Sequence, residues 1–224
     1  MKFSSSSLLT LALMTAALLL TGCGIPSVHP LYEPKDLIMD ESLTGLWESG
    51  DTRYMVQSIS QLQDSVDKYT SDPDYDRTTV DVAGLSVDHD ALEEFRGFGL
   101  ANAYLVWNPE EEEPENVFLA GLLRVGSHDY MDFYQFETGE TTLAFPVHVF
   151  RQAEIRGDTL VLRDFDEDFL KELISNRQLR IKHEVSMDNF LLTASPAELQ
   201  KFVLKYAGDE RALSNRTNTY TRVQ

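Results

Sequence analysis

Residues 116–136 constrain the fold most. Residues 116–125 and 129–136 read as two strands joined at Gly126-Ser127-His128, a strand–loop–strand signal. The first carries Phe118, Leu119, Leu122 and Leu123, and the second Tyr130, Met131, Phe133, Tyr134 and Phe136. Both strands are therefore apolar on both faces. A strand with one wet face alternates apolar and polar, whereas one apolar on both faces is covered on both sides. The hairpin demands a second layer on each side of its sheet.

More strands follow the same logic. Residues 146–156 alternate, with Val147, Val149, Ala153 and Ile155 opposite His148, Gln152, Glu154 and Arg156. Gly157-Asp158 then turns into a strand over residues 159–163, a second hairpin signal. Strands are expected at residues 45–47, 53–60, 66–70, 78–83, 101–107, 179–185 and 189–193, with a closing strand at 217–223. Asp72-Pro73-Asp74-Tyr75-Asp76 has turn composition. Residues 108–115, with Glu110 to Glu113 and two prolines, form a charged loop or hairpin end.

Helices are fewer. Residues 88–95 suit a short helix. Residues 166–175 carry Asp166, Glu167 and Asp168 in the first turn, where they complement the helix dipole, and an apolar stripe of Phe169, Leu170, Leu173 and Ile174. Ser195-Pro196-Ala197-Glu198 is a capping box with proline at the first helical position, opening a helix to about residue 207. No βαβ rhythm runs through the chain, so a parallel sheet is not expected. The fold class read here is mainly β (α+β): an antiparallel barrel or strongly curved sheet with two packed helices in the C-terminal third.

The N-terminus says where such a domain works. Lys2 supplies a positive start, and residues 8–20 are apolar apart from Thr10 and Thr15. These are the marks of a secretory signal, and the run is short of the ~20 residues that span a bilayer. It ends in Leu20-Thr21-Gly22-Cys23, which holds the only cysteine of the chain. This stretch resembles the bacterial lipobox. The resemblance implies a diacylglyceryl group on the Cys23 thiol, cleavage before Cys23, and acylation, for example by palmitate, of the new amino terminus. Two or more acyl chains hold a protein stably on a membrane. Ile25 stands where an aspartate would resemble an inner-membrane retention signal, so the resemblance leans to the outer membrane of a Gram-negative envelope, on its periplasmic face or surface. The expected organisation is a signal peptide over residues 1–22, a lipidated N-terminus and proline-spaced tether over 23–40, and one β-rich domain over 41–224. Pro26, Pro30 and Pro34 preclude a continuous helix in the tether and favour extended, semi-rigid chain. Leu31, Tyr32, Leu37 and Ile38 suggest that its later half packs on the domain.

Charge and residue usage then exclude function classes. The chain carries −18, and the leader holds one base and no acid, so the mature protein carries −19. So acidic a surface argues against nucleic acid as a partner. With Cys23 lipidated no thiol remains for disulfides, redox chemistry or cysteine metal sites, although the compartment permits disulfides. Asp72, Asp74 and Asp76 imitate the start of a calcium loop, but Arg77 and Ala83 stand where it needs Gly and an acid. His29, His89, His128, His148 and His183 are scattered without a metal-binding spacing. There is no nucleophile elbow and no phosphate-binding glycine loop, and the adjacency of Ser86, Asp88, His89 and Asp90 is not triad geometry. No catalytic residue, cofactor or metal ligand is assigned; Cys23, as the lipidation site, is the one site residue.

Two further resemblances bear on architecture. Gly45-Leu46-Trp47 resembles the Gly-x-Trp signature on the first strand of lipocalins and related calycin barrels. That implies that Trp47 closes a barrel floor, with a late arginine, here Arg222, across its ring, and it admits an apolar ligand inside. The late helices depart from the lipocalin pattern. Over most of the mature chain, residues 29–37, Leu43-Thr44-Gly45-Leu46-Trp47, Pro146-Val147-His148-Val149-Phe150, Asp166-Glu167-Asp168-Phe169-Leu170 and residues 195–200 resemble a group of uncharacterised bacterial lipoproteins. Residues 85–115 are longer than is usual there, and that group brings no activity with it. The expected function is a lipid-anchored envelope protein with a non-catalytic binding or interaction domain. Its partners are the membrane, through the lipid on Cys23, and either an apolar small molecule or another envelope protein. The alternatives are a lipocalin-like carrier, a structural or assembly factor of the envelope, and a hydrolase with an unrecognised site.

Overall fold

The structure, a computed structural model, describes residues 24–70, 79–111, 114, 116–137, 147–186 and 189–223. Its strands are Pro26–Ser27 (β1), Gly45–Ser49 (β2), Thr52–Ser58 (β3), Thr79–Val82 (β4), Leu85–Asp88 (β5), Tyr104–Trp107 (β6), Asn116–Val125 (β7), His128–Glu137 (β8), His148–Arg156 (β9), Thr159–Phe165 (β10), His183–Ser186 (β11), Asn189–Leu192 (β12) and Leu213–Arg222 (β13). Its helices are Ile59–Thr70 (α1), His89–Gly97 (α2), Glu167–Ser175 (α3) and Pro196–Tyr206 (α4).

Eight strands close a barrel. β2, β3, β6, β7, β8, β9, β10 and β13 pair antiparallel in that order, and β13 returns to β2 through Thr221↔Glu48 and Arg222↔Trp47. The path is an up-and-down meander of the calycin type, with two insertions. Between β3 and β6 lie α1, the separate β4–β5 hairpin and α2; between β10 and β13 lie α3, the β11–β12 hairpin and α4. Beyond the last rung of β10, the free side of β9 takes up β1, which leads on to β12 and β11. For orientation, the end with the Gly126–Ser127 and Gly157–Asp158 turns is the lower one. The end with the Gly50–Asp51 turn and the Asn108–Glu111 loop is the upper one.

Strand alternation divides the apolar residues between two cores. Phe118, Ala120 and Leu122 of β7 face the barrel interior with Met131, Leu160, Leu162, Tyr54, Val56, Tyr104 and Tyr220. Val117, Leu119, Leu123 and Val125 face outward, against a second core with Leu62 and Val66 of α1, Leu170 of α3 and Leu199, Phe202 and Val203 of α4. That is why the hairpin around Gly126 is apolar on both faces: one face fills the barrel and the other seats the helices.

Helix starts follow the local chemistry. Asp166 caps α3 by accepting from Phe169 N–H at 2.8 Å, and Ser195 and Glu198 form the capping box of α4. Asp88 caps α2 through Ala91 N–H. The strand expected at residues 66–70 is instead the end of α1. Ile59, Leu62, Gln63 and Val66 are buried at helical spacing, and Ser58 Oγ accepts Gln61 N–H at 3.1 Å at its start. The side chain spacing of the whole segment outweighs the strand-like composition of its last turn.

Residues 24–40, expected as a tether, belong to the packed body from their start. Ile25, Ser27, Leu31, Tyr32 and Leu37 are buried. Pro26 and Ser27 pair with Val149 and His148, and Val28 N–H donates to Leu192 O. Gln200 Nε2 of α4 donates to Leu31 O and to Asp36 Oδ2. Pro26 stands in extended chain, which is what an added strand requires, whereas Pro34 opens a short 3-10 turn over Pro34–Asp36. A side chain at Gly121 would collide with the Tyr32 ring and Leu37, so β7 admits the segment only because it is bare there.

Candidate functional site

The barrel interior is the first place where a calycin-type fold would hold a ligand. Here it is filled. A cavity of about 30 Å³ remains, lined by Trp47, Tyr54, Met131, Phe133, Leu162, Tyr220 and their neighbours. Pockets that enclose drug-sized ligands run to about 300–1,000 Å³, and a water needs about 10–15 Å³ together with polar partners. The space is of solvent size and its walls are apolar. Tyr54 and Tyr220 meet edge to face across it, with ring centroids 5.7 Å apart.

The lower end is closed by Trp47, which is 1% exposed, and by Leu43. Trp47 Nε1 donates to Leu43 O at 2.8 Å. The Arg222 guanidinium lies 4.4 Å from the centre of the Trp47 ring and donates to the carbonyls of Thr44 and Ser42. Gly45 is required by this arrangement: its φ is +124°, and a Cβ would stand 2.9 Å from Arg222 Nη1. The floor implied by Gly45-Leu46-Trp47, with Arg222 across the ring, is therefore present. Stacking of this kind contributes about 0.5–2 kcal/mol.

Towards the upper end two charges are buried inside the wall. Arg151 Nε donates to Asp164 Oδ1 at 2.7 Å, and the guanidinium lies 5.6 Å from the Phe133 ring centre. These residues face each other on the last rung of β9 with β10. Breaking a buried pair by removing one partner costs about 3–5 kcal/mol, because it strands a charge. The pair ties β9 to β10 where the barrel wall ends.

A second polar cluster lies on the outer face of β8 and β9. Asp132, 1% exposed, binds His148 Nδ1 through Oδ1 at 2.6 Å and accepts Leu31 N–H through Oδ2 at 2.8 Å. The rings of Tyr32 and Tyr134 flank His148 at 6.5 and 4.9 Å. Burial, and after it the charge of Asp132, pushes the Tyr32 hydroxyl well above the ordinary tyrosine range. An oriented Asp–His pair is part of a nucleophilic triad, but the serine paired with His148 in the sheet, Ser27, is buried and its hydroxyl donates to His29 O at 2.8 Å. Asp132 here works as a clamp: one carboxylate holds the N-terminal segment and the head of β9.

The other histidines stay apart. His29 is exposed, His89 lies 3.6 Å from Asp67 and from Asp90, His128 meets Gln152, and His183 stacks on Phe190. Among the described residues no group of three His, Cys, Asp or Glu is placed to hold a metal. Cys23 and the acidic turn at residues 72–76 lie outside the described residues; the description begins at Gly24, the neighbour of Cys23. No described helix is long and apolar enough to cross a membrane.

Neither buried polar pair was expected from the sequence. One signal was available: Arg151 shares the strand face of Val149, Ala153 and Ile155, and a charge in that phase must find a partner inside the barrel. Asp132 sits likewise between Met131 and Phe133, but nothing local points to His148 or to Leu31.

The fold thus defines a class, an eight-stranded up-and-down barrel with a Trp–Arg floor and a helical outer layer. Comparison of the chain with family models, curated proteins and solved structures finds no match.

Proposed function

We propose that this chain is a lipid-anchored protein of the bacterial envelope, acylated on Cys23, whose barrel acts through its outer surface on another envelope component. The observation that carries the second half is the filled interior. A barrel whose axis is occupied by Trp47, Tyr54, Phe118, Met131 and Tyr220 offers its exterior. The first half rests on the leader and on Leu20-Thr21-Gly22-Cys23, which resembles a lipobox. The group of uncharacterised lipoproteins that the chain resembles fits the same reading. Neither Gly24, which directly follows Cys23, nor Ile25 is an aspartate, and this supports the outer membrane as the destination in a Gram-negative cell.

The test of the anchor is Cys23→Ala. The variant is expected to lose its acyl chains and to leave the membrane fraction, because a chain without acyl groups has no comparable purchase on a bilayer. A variant that stays membrane-bound with lipid attached contradicts the reading. A carrier role is a second reading, favoured by the Trp47–Arg222 floor. It requires side chains to leave the interior, since about 30 Å³ admits no apolar ligand of useful size.

A further inference from the structure

The described chain begins inside the fold. Gly24 is half-buried, and a Cβ on it would collide with Val149 and stand 2.9 Å from Asp164 Oδ1. Ile25 is 1% exposed, and Pro26–Ser27 is already strand β1. Leu31 is then held on both sides, by Asp132 at its N–H and by Gln200 at its carbonyl. No free chain separates residue 24 from the body of the domain, and one residue spans at most about 3.6 Å. Whatever is attached to Cys23 is attached to the barrel beside Val149 and Asp164.

Those two residues mark the upper part of the wall between β9 and β10. From Val149 to Arg156 strand β9 runs down to the lower turn at Gly157. Seven residue steps at about 3.3 Å, tilted 35–45° to a barrel axis, make roughly 16–19 Å of height. The two ends therefore stand at different distances from the anchor.

We infer that the acylated protein rests with its upper end against the lipid headgroups and its lower, Trp47-closed end pointing away. This rests on Cys23 being the lipid anchor. Among the described residues the contacting surface is acidic: Asp51 in the β2–β3 turn, and Glu110 and Glu111 in the loop after β6, with Arg53 offsetting Glu110 at 3.2 Å. Anionic headgroups attract basic segments and by the same field repel acidic ones. The surface it fits is a zwitterionic phospholipid layer, and the outward-facing lower end and flanking helices are left for a protein partner.

The chain has a single cysteine, and acylation consumes it, so an introduced cysteine is the only free thiol. The acylated full-length products of D51C and S127C, both at exposed turns, are labelled with a fluorophore and reconstituted in phosphatidylcholine vesicles that carry a headgroup-attached quencher. Quenching at position 51 is expected to exceed that at 127 several-fold, and to fall when phosphatidylglycerol is added. Equal or reversed quenching overturns the inference. A control inserts about ten Gly/Ser residues between Cys23 and Gly24, a coil of roughly 16–19 Å. It is expected to erase the difference, and a difference that survives shows that the anchor does not set the orientation. The intact mass separates the two claims: an unacylated Cys23 overturns the anchor reading itself, whereas an acylated chain without the expected asymmetry overturns only the orientation.

Discussion

At the scale of single residues, Trp47 holds the most. Its ring closes the lower end, its Nε1 satisfies Leu43 O, and Arg222 covers it from the other end of the chain. Removing a buried indole costs its transfer energy and leaves a cavity, about 3–5 kcal/mol for a large aromatic. Trp47→Ala is expected to lower unfolding stability in urea by that amount. A loss of only a few tenths of a kcal/mol would mean that the floor carries no weight. This site was legible because Gly-x-Trp is local and because Gly45 must be glycine at its positive φ. Asp132 was not legible. Its partners, His148 and Leu31, lie 16 and 101 residues away in sequence and meet it only when β8, β9 and the N-terminal segment pack together.

At the scale of elements, the strands were easier to read than their surroundings. The β7–β8 hairpin follows from strands apolar on both faces and the β9–β10 hairpin from alternation, with turns at Gly126 and Gly157, both at positive φ. Helices α3 and α4 follow from their caps. Helix α1 was obscured because Gln61, Gln63 and Ser65 interrupt its apolar face, and Gln63 is itself buried. The N-terminal segment was obscured for a different reason. Prolines at 26, 30 and 34 describe extended chain equally well in solvent or on a sheet edge, and what decides between them is Gly121 on a distant strand. Gly121→Val is therefore expected to displace Tyr32 and Leu37 and to cost about 1–3 kcal/mol, as overpacking usually does. Hydrogen exchange provides the check: Leu31 N–H loses protection in the variant while amides of β9 with β10 keep theirs. Unchanged protection at Leu31 contradicts the role given to Gly121.

At the scale of the whole molecule, stability comes from packing, and it has a defined alkaline limit. Burial pushes the hydroxyls of Tyr104, Tyr130 and Tyr220 up from 10.0 to about 12. The folded protein thus keeps these protons over a range in which the unfolded chain has released them. Stability from this source is fully present below about pH 10 and falls as pH rises through 10–12. Unfolding followed alongside phenolate absorbance is expected to show these tyrosines ionising together with loss of structure. Ionisation near pH 10 with the fold intact contradicts the burial of all three.

The proposed function joins a lipid-bearing chain to a filled barrel. Native mass spectrometry of the protein extracted from its own membranes tests both halves at once. The predicted result is one species, beginning at Cys23, whose mass is the chain plus covalent diacylglyceryl and acyl groups and nothing held non-covalently. An unmodified Cys23, or a retained apolar molecule present one per chain in repeated preparations, would contradict it.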